Sequence, residues 1–158
     1  MADARIFADL KADHDRHRAL LEQIGNGGGD RHALFETFRV EVSAHAAAEE
    51  ESLYATMLAN PELRDEARHS VSEHKEIEDF LTELYELDIA DPAWNGKFAE
   101  MRHRYEHHID EEEEEMFPAA AEELSDSEQQ RLANVFERRK PRELERAAAE
   151  EPGADDRE

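Results

Sequence analysis

The sequence predicts an all-α protein: an up-down-up-down four-helix bundle with a short fifth helix at the C-terminal end. Three observations predict it. Apolar residues recur at three- and four-residue spacing in four long stretches. Short breaker clusters separate those stretches, which favours antiparallel neighbours. Charged residues make up 39% and hydrophobic ones 39%, the balance of a bundle with a narrow apolar seam rather than of a thick sandwich. No stretch shows a strand-like alternation.

The first helix is expected over about 4–24, with Phe7, Leu10, His14, His17, Leu21 and Ile24 on one face. Gly25-Asn26-Gly27-Gly28-Gly29-Asp30 ends it. The second, over about 31–58, carries Phe35, Phe38, Val42, His45, Glu49 and Leu53 on its stripe, and Asn60-Pro61 marks the turn. The third, over about 63–87, carries Ala67, Val71, His74, Ile77, Leu81 and Leu84. Asp91 reads as the N-cap of the fourth, with Pro92 at its first position. The fourth stripe is Phe98, Met101, Tyr105, His108, Glu112 and Met116, and the helix continues or kinks past Pro118 to about Leu124. Ser125-Asp126-Ser127-Glu128 opens a fifth helix carrying Leu132, Val135 and Phe136, with Pro141 as its breaker. The expected domains are residues 1–125 for the bundle, 126–146 for the C-terminal helix and 147–158 for an acidic disordered tail.

Composition removes several function classes. The net charge is −23, which repels phosphate backbones and anionic lipid, so neither nucleic acid nor membrane is an expected partner. There is no cysteine, which removes disulfides, thiolate catalysis and iron–sulfur clusters together. No apolar run is long enough to span a bilayer, and the first residues lack the pattern of a signal peptide. A cytoplasmic protein is expected. Gly27-Gly28-Gly29 has no following lysine of the phosphate-binding kind, so it reads as a connection.

What remains is a constellation. One phrase is written twice: His45-Ala46-Ala47-Ala48-Glu49-Glu50-Glu51-Ser52-Leu53-Tyr54 and His108-Ile109-Asp110-Glu111-Glu112-Glu113-Glu114-Glu115-Met116-Phe117. Residues four apart on a helix share a face, so each copy aims an imidazole and a carboxylate at one point. The four stripes together hold His14, His45, His74 and His108, with Glu49 and Glu112. All six fall near mid-helix and can share one layer of an antiparallel bundle. A buried carboxylate costs several kcal/mol unless a cation compensates it. Nitrogen and hard oxygen donors suit iron or a similar divalent transition metal. The remaining glutamates of both phrases are read as a solvated face, with Glu115 on the edge of the stripe. Glu66-x-x-His69 and Glu100-x-x-His103 match the pattern of di-iron carboxylate bundles, but both lie on polar faces and are read as coincidence. His17 stands between ligand, support and core filler. His32, His69, His103 and His107 read as surface residues.

Lys11-Ala12-Asp13-His14, His45-x-x-x-Glu49-Glu50, Glu73-His74 and His107-His108-x-x-x-Glu112-Glu113, ending in Met116-Phe117-Pro118, resemble the hemerythrin-like, HHE cation-binding family. The resemblance spans about residues 4–125. It implies two iron ions bridged by carboxylates and by an oxo or hydroxo species. His14 and His45 would serve one iron, His74 and His108 the other, and Glu49 and Glu112 would bridge. Two departures separate the chain from the oxygen-carrying hemerythrins. Ser70 stands where a second histidine precedes His74, and the last pair is His108 and Glu112, four apart rather than five. Solvent, Tyr105 or His17 would complete the coordination. The expected function is a di-iron protein that binds or senses oxygen or a related small oxidant such as peroxide or nitric oxide, rather than an enzyme. The alternatives are a redox enzyme of the peroxide-decomposing or oxidase type and a passive cation-binding bundle.

Overall fold

The computed structural model describes residues 4–27 and 29–150. Among these there is no strand. The elements are α1 (Arg5–Gly25), α2 (Arg31–Glu49), α3 (Ala55–Ala59), α4 (Arg64–Glu86), α5 (Pro92–Glu111), α6 (Phe117–Glu123) and α7 (Asp126–Ala149). Two π-helical turns, Glu50–Tyr54 and Glu112–Met116, join α2 to α3 and α5 to α6 without interrupting the rods. Four rods result, and they run up, down, up and down. α1 packs on α2 and α5, and α4 packs on α5 and α2, which closes the ring.

Local chemistry fixes the ends. Asp30 accepts a hydrogen bond from the Ala33 N–H and Asp91 one from the Ala93 N–H, with Pro92 just inside the helix as expected. Ser125 and Glu128 form a reciprocal capping box. Between α1 and α2 the chain turns through Gly27 and Gly29 at φ of +71° and +68°, a conformation that a side chain would strain.

The π turns sit inside the two copies of the repeated phrase. In each, an N–H bonds five residues back: Ala55 to the Glu50 carbonyl, and Phe117 to the Glu112 carbonyl. Ser52 donates its hydroxyl hydrogen bond to the Ala48 carbonyl at 2.7 Å. In the second copy Pro118 has no N–H to give, so the regular ladder cannot continue there. On a regular α-helix, residues five apart point about 140° away from each other. The wider turn brings Tyr54 toward the face of Glu49, and Phe117 toward that of Glu112.

The core is split in two. Ile6, Phe7, Leu10, Leu53, Met57 and Phe117 belong to one apolar cluster, and Leu21, Ile24, Phe38, Leu81, Trp94 and Phe98 to the other. On every rod the candidate metal ligands fall between the two clusters, so a polar layer crosses the bundle at mid-height.

α7 differs from expectation. It has 24 residues and passes through Pro141, where a break was expected. The proline forfeits one backbone hydrogen bond, but α7 lies along α1 and α2 and buries Leu132, Ala133, Phe136 and Lys140. That packing anchors the helix up to the residue before the proline, and the helix runs on through it to Ala149. Residues 147–149, expected in the tail, are helical and Glu150 caps the helix; residues 151–158 of that tail lie outside the described residues.

Candidate metal centre

His14 on α1, His45 and Glu49 on α2, His74 on α4, His108 on α5 and Glu112 at the start of the second π turn all reach the polar layer. The ring centroids of His14 and His45 are 5.0 Å apart, and those of His74 and His108 are 4.9 Å apart. Glu49 stands between the pairs. Its Oε1 is 3.5 Å from His45 Nε2 and 3.4 Å from His74 Nε2. Glu112 Oε1 is 2.6 Å from His108 Nε2. Donor atoms of His74, His108 and Glu112 lie within 4.8 Å of one another, a spacing that one ion can span.

Each of these four imidazoles is held by its other nitrogen. His14 Nδ1 lies 2.7 Å from Glu113, His45 Nδ1 2.8 Å from Asp13, His74 Nδ1 3.2 Å from Glu50 and His108 Nδ1 2.9 Å from Glu73. The pattern is two-fold. The acid preceding the histidine of the first or third rod, Asp13 or Glu73, holds the histidine of the next rod. The acid following each inner glutamate, Glu50 or Glu113, holds the histidine of the third or first rod, in the other half. The aromatic residues follow the same symmetry: Tyr54 stacks on His74 and Phe117 on His14. A carboxylate on Nδ1 fixes the ring and directs the Nε2 lone pair inward.

Glu50 and Glu113 therefore correct the reading of them as solvated charge, and Glu73 corrects the reading of its face as one that only meets water. Residues flanking an inward stripe in a closed ring of helices face the neighbouring rod, so a buried histidine there can reach them. The signal was present in the sequence. Acid-histidine occurs at Asp13-His14 and Glu73-His74, and the glutamate pair at Glu49-Glu50 and Glu112-Glu113.

His14 Nε2, His17 Nε2, His45 Nε2 and both carboxylate oxygens of Glu49 and of Glu112 are buried and have no hydrogen-bond partner. So much unsatisfied donor capacity in one dry layer is costly unless a cation meets it. Without one, the charges redistribute. Burial pushes the Glu49 carboxyl up, yet its neighbours Glu112, His45 and His74 hold it well below the usual range. Burial and the Glu49 charge push Glu112 up. Burial also lowers His45, but Asp13 and Glu49 outweigh it and raise the imidazole to about 9.

His17 breaks the two-fold. It is fully buried, 5.2 Å from the His45 ring, and its Nδ1 lies 2.7 Å from the Tyr105 hydroxyl. Desolvation holds it well below the usual imidazole range, so it is neutral. In the tautomer whose Nδ1–H donates to Tyr105, Nε2 presents its lone pair to the layer. The same positions in the other half are Ile77 and Val42. One half therefore offers His14, His17 and His45, while the other offers His74, His108 and Glu112. The Tyr54 hydroxyl is also buried without a partner beside His74; sequence reasoning placed Tyr54 in the repeat but gave it no role.

The family model described as Hemerythrin HHE cation binding domain matches residues 5–120. The chain belongs to the hemerythrin HHE cation-binding family. This HHE domain is similar to a crystal structure of a hemerythrin HHE cation-binding domain-containing protein from Mycobacterium kansasii. The TM-score is 0.78 and the identity 25%, and the match covers 92% of this chain and 90% of that one. Such coverage takes in part of α7 as well as the bundle. No curated protein matches the chain. Metal binding is the property that family membership brings to the His and Glu layer of this HHE domain. No helix among the described residues is long and apolar enough to cross a membrane.

Proposed function

We propose that this HHE domain holds a dinuclear non-haem iron centre and uses it to bind oxygen or a related small oxidant. His14 and His45, with His17, take one ion; His74 and His108 take the other; Glu49 and Glu112 lie between them. The observation that carries this reading is the set of buried ligand atoms without a hydrogen-bond partner that converge from three of the four rods, on His14, His17, His45, Glu49 and Glu112, with His74 of the remaining rod facing Glu49 at 3.4 Å. The donor set fits. Imidazole and carboxylate without thiolate suit iron and its neighbours, and each imidazole in the four-fold set is already oriented through Nδ1. Two iron ions there supply electrons and open coordination positions for a diatomic molecule or a peroxide. The chain's own residues orient the ligands through Asp13, Glu50, Glu73 and Glu113, and exclude bulk water with Phe38, Tyr54 and Phe117.

A second reading, a redox enzyme acting on peroxide, has one observation in its favour. A cavity of about 240 Å³ opens to solvent beside Glu112 and His108, so a small polar substrate has a route in and a product a route out.

The deciding experiment is metal content together with ultraviolet–visible spectra before and after oxygen, peroxide and nitric oxide. Two irons per chain and an oxidant-dependent visible band are expected, both lost in Glu49→Ala. A protein that takes up no iron under anaerobic loading sinks the proposal. Steady peroxide turnover abolished by His108→Ala would move the assignment from binding protein to enzyme.

A further inference from the structure

The His-x-x-x-Glu spacing recurs at His69/Glu73 on α4 and His107/Glu111 on α5, among other places in this chain. Only Glu73 touches the buried layer, through His108, and the two pairs meet across the helix interface. His69 Nε2 is 3.4 Å from Glu73 Oε1 and 3.7 Å from Glu111 Oε1. His107 Nε2 lies 3.2 Å from the other oxygen of Glu111. Donor atoms of His69, Glu73 and Glu111 all fall within 4.8 Å of one another.

This cluster lies at the outer wall of the cavity that leads inward. The same cavity is lined by His69, Glu73 and Glu111 and by His108 and Glu112. Glu112 is 2% exposed and lines the inner end of this cavity; its Oε1 faces His108 Nε2 at 2.6 Å, and neither of its oxygens makes a hydrogen bond. Glu73 belongs to both ends, since the oxygen facing His69 also accepts from His108 Nδ1. Glu66 and Glu115 add negative charge to the walls, and crowding by Glu115 and Glu111, after burial, pushes Glu66 up.

We infer that His69, Glu73 and Glu111 form a third divalent-cation site, an entry port that collects a transition-metal ion and passes it inward to Glu112 and His108. The mixed imidazole and carboxylate donors select a divalent transition metal over a hard alkaline-earth ion. The acidic walls raise the local cation concentration and so the loading rate. Glu66-x-x-His69, read from sequence as coincidence, has both of its side chains on this cavity.

The inference rests on the inner centre proposed above, and Co²⁺ separates the two because it is coloured and does not require oxygen. The variant is His69→Ala/Glu111→Gln, which spares Glu73 because Glu73 orients His108. Metal-free wild type is expected to bind three Co²⁺ and the variant two, with the inner pair filling about tenfold more slowly in the variant when mixing is followed by stopped-flow absorption. Equal stoichiometry and equal rate in the two proteins overturn the entry port while leaving the inner centre standing. A wild type that binds a single Co²⁺, retained in Glu49→Gln/Glu112→Gln, overturns the inner centre and with it the inward transfer.

Discussion

Lys140 Nζ lies 2.7 Å from Asp13 Oδ2, joining residues 127 apart in the chain, and that same oxygen accepts from His45 Nδ1. The lysine is 8% exposed and comes from α7, beyond the stretch the family model matches. It neutralises the carboxylate that orients a candidate ligand. On the other half the equivalent carboxylate, Glu73, has His69 beside it instead. Lys140→Met should therefore act on one half only. The loss of a buried partner costs about 1–3 kcal/mol of stability, moderated because Arg16 also reaches Asp13. One metal ion should bind about tenfold more weakly while the second is unaffected. Anaerobic metal titration and thermal unfolding check both effects; two ions weakened alike would show that Lys140 does not act through Asp13.

Glu113 offers a cleaner test of the supporting carboxylates, because Glu114 next to it is an exposed control. Glu113 receives His14 Nδ1 at 2.7 Å and Arg18 at 3.0 Å. Glu113→Gln keeps the shape and removes the charge that fixes the His14 ring. Metal affinity should fall 10- to 100-fold, on the scale of such outer partners. Glu114→Gln should leave it unchanged. A matched response in the two variants would mean that only net charge matters.

The rods and the layer were legible because burial imposes a period. Histidine and glutamate at positions where the stripe demands leucine are conspicuous, so His14, His45, Glu49, His74, His108 and Glu112 could be picked out. Counting at 100° per residue loses meaning at the π turns, where the backbone widens to bond five residues back. That is why Tyr54 was not placed beside His74. The supporting acids were missed for another reason. Asp13, Glu50, Glu73 and Glu113 flank the stripe, and only the identity of the neighbouring rod tells whether a flanking residue meets water or an imidazole. Pro141 misled because a proline's local cost was weighed without the packing of α7 on α1 and α2 that anchors the helix up to Lys140.

Protons and metal compete for the same atoms, and the sign of that competition is testable. In the metal-free protein burial alone would lower His45 and His108. Asp13 and Glu49 instead raise His45 to about 9, and Glu112 and Glu73 raise His108 to about 10. A free imidazole titrates near about 6.5. A group raised in the folded state contributes stability that is fully present below its unfolded value and is lost as pH rises through its folded value. Asp13 and Glu49 are shifted down, so their contributions change only in acid, well outside this window. Metal-free protein should thus lose a few kcal/mol between about pH 7 and pH 10, whereas the metal-loaded form, whose imidazoles carry no proton on Nε2, should not. Between about pH 7 and pH 9 apparent affinity for the ion that His45 would hold should rise by about tenfold per pH unit, since the raised His45 imidazole must lose one proton to bind. Thermal unfolding of both forms across this range, with proton release measured in weak buffer on adding Co²⁺ at pH 7, checks the two halves together. A melting temperature of the metal-free protein that climbs with pH would mean that these imidazoles are already neutral, and that the carboxylates around them support the rings without charging them.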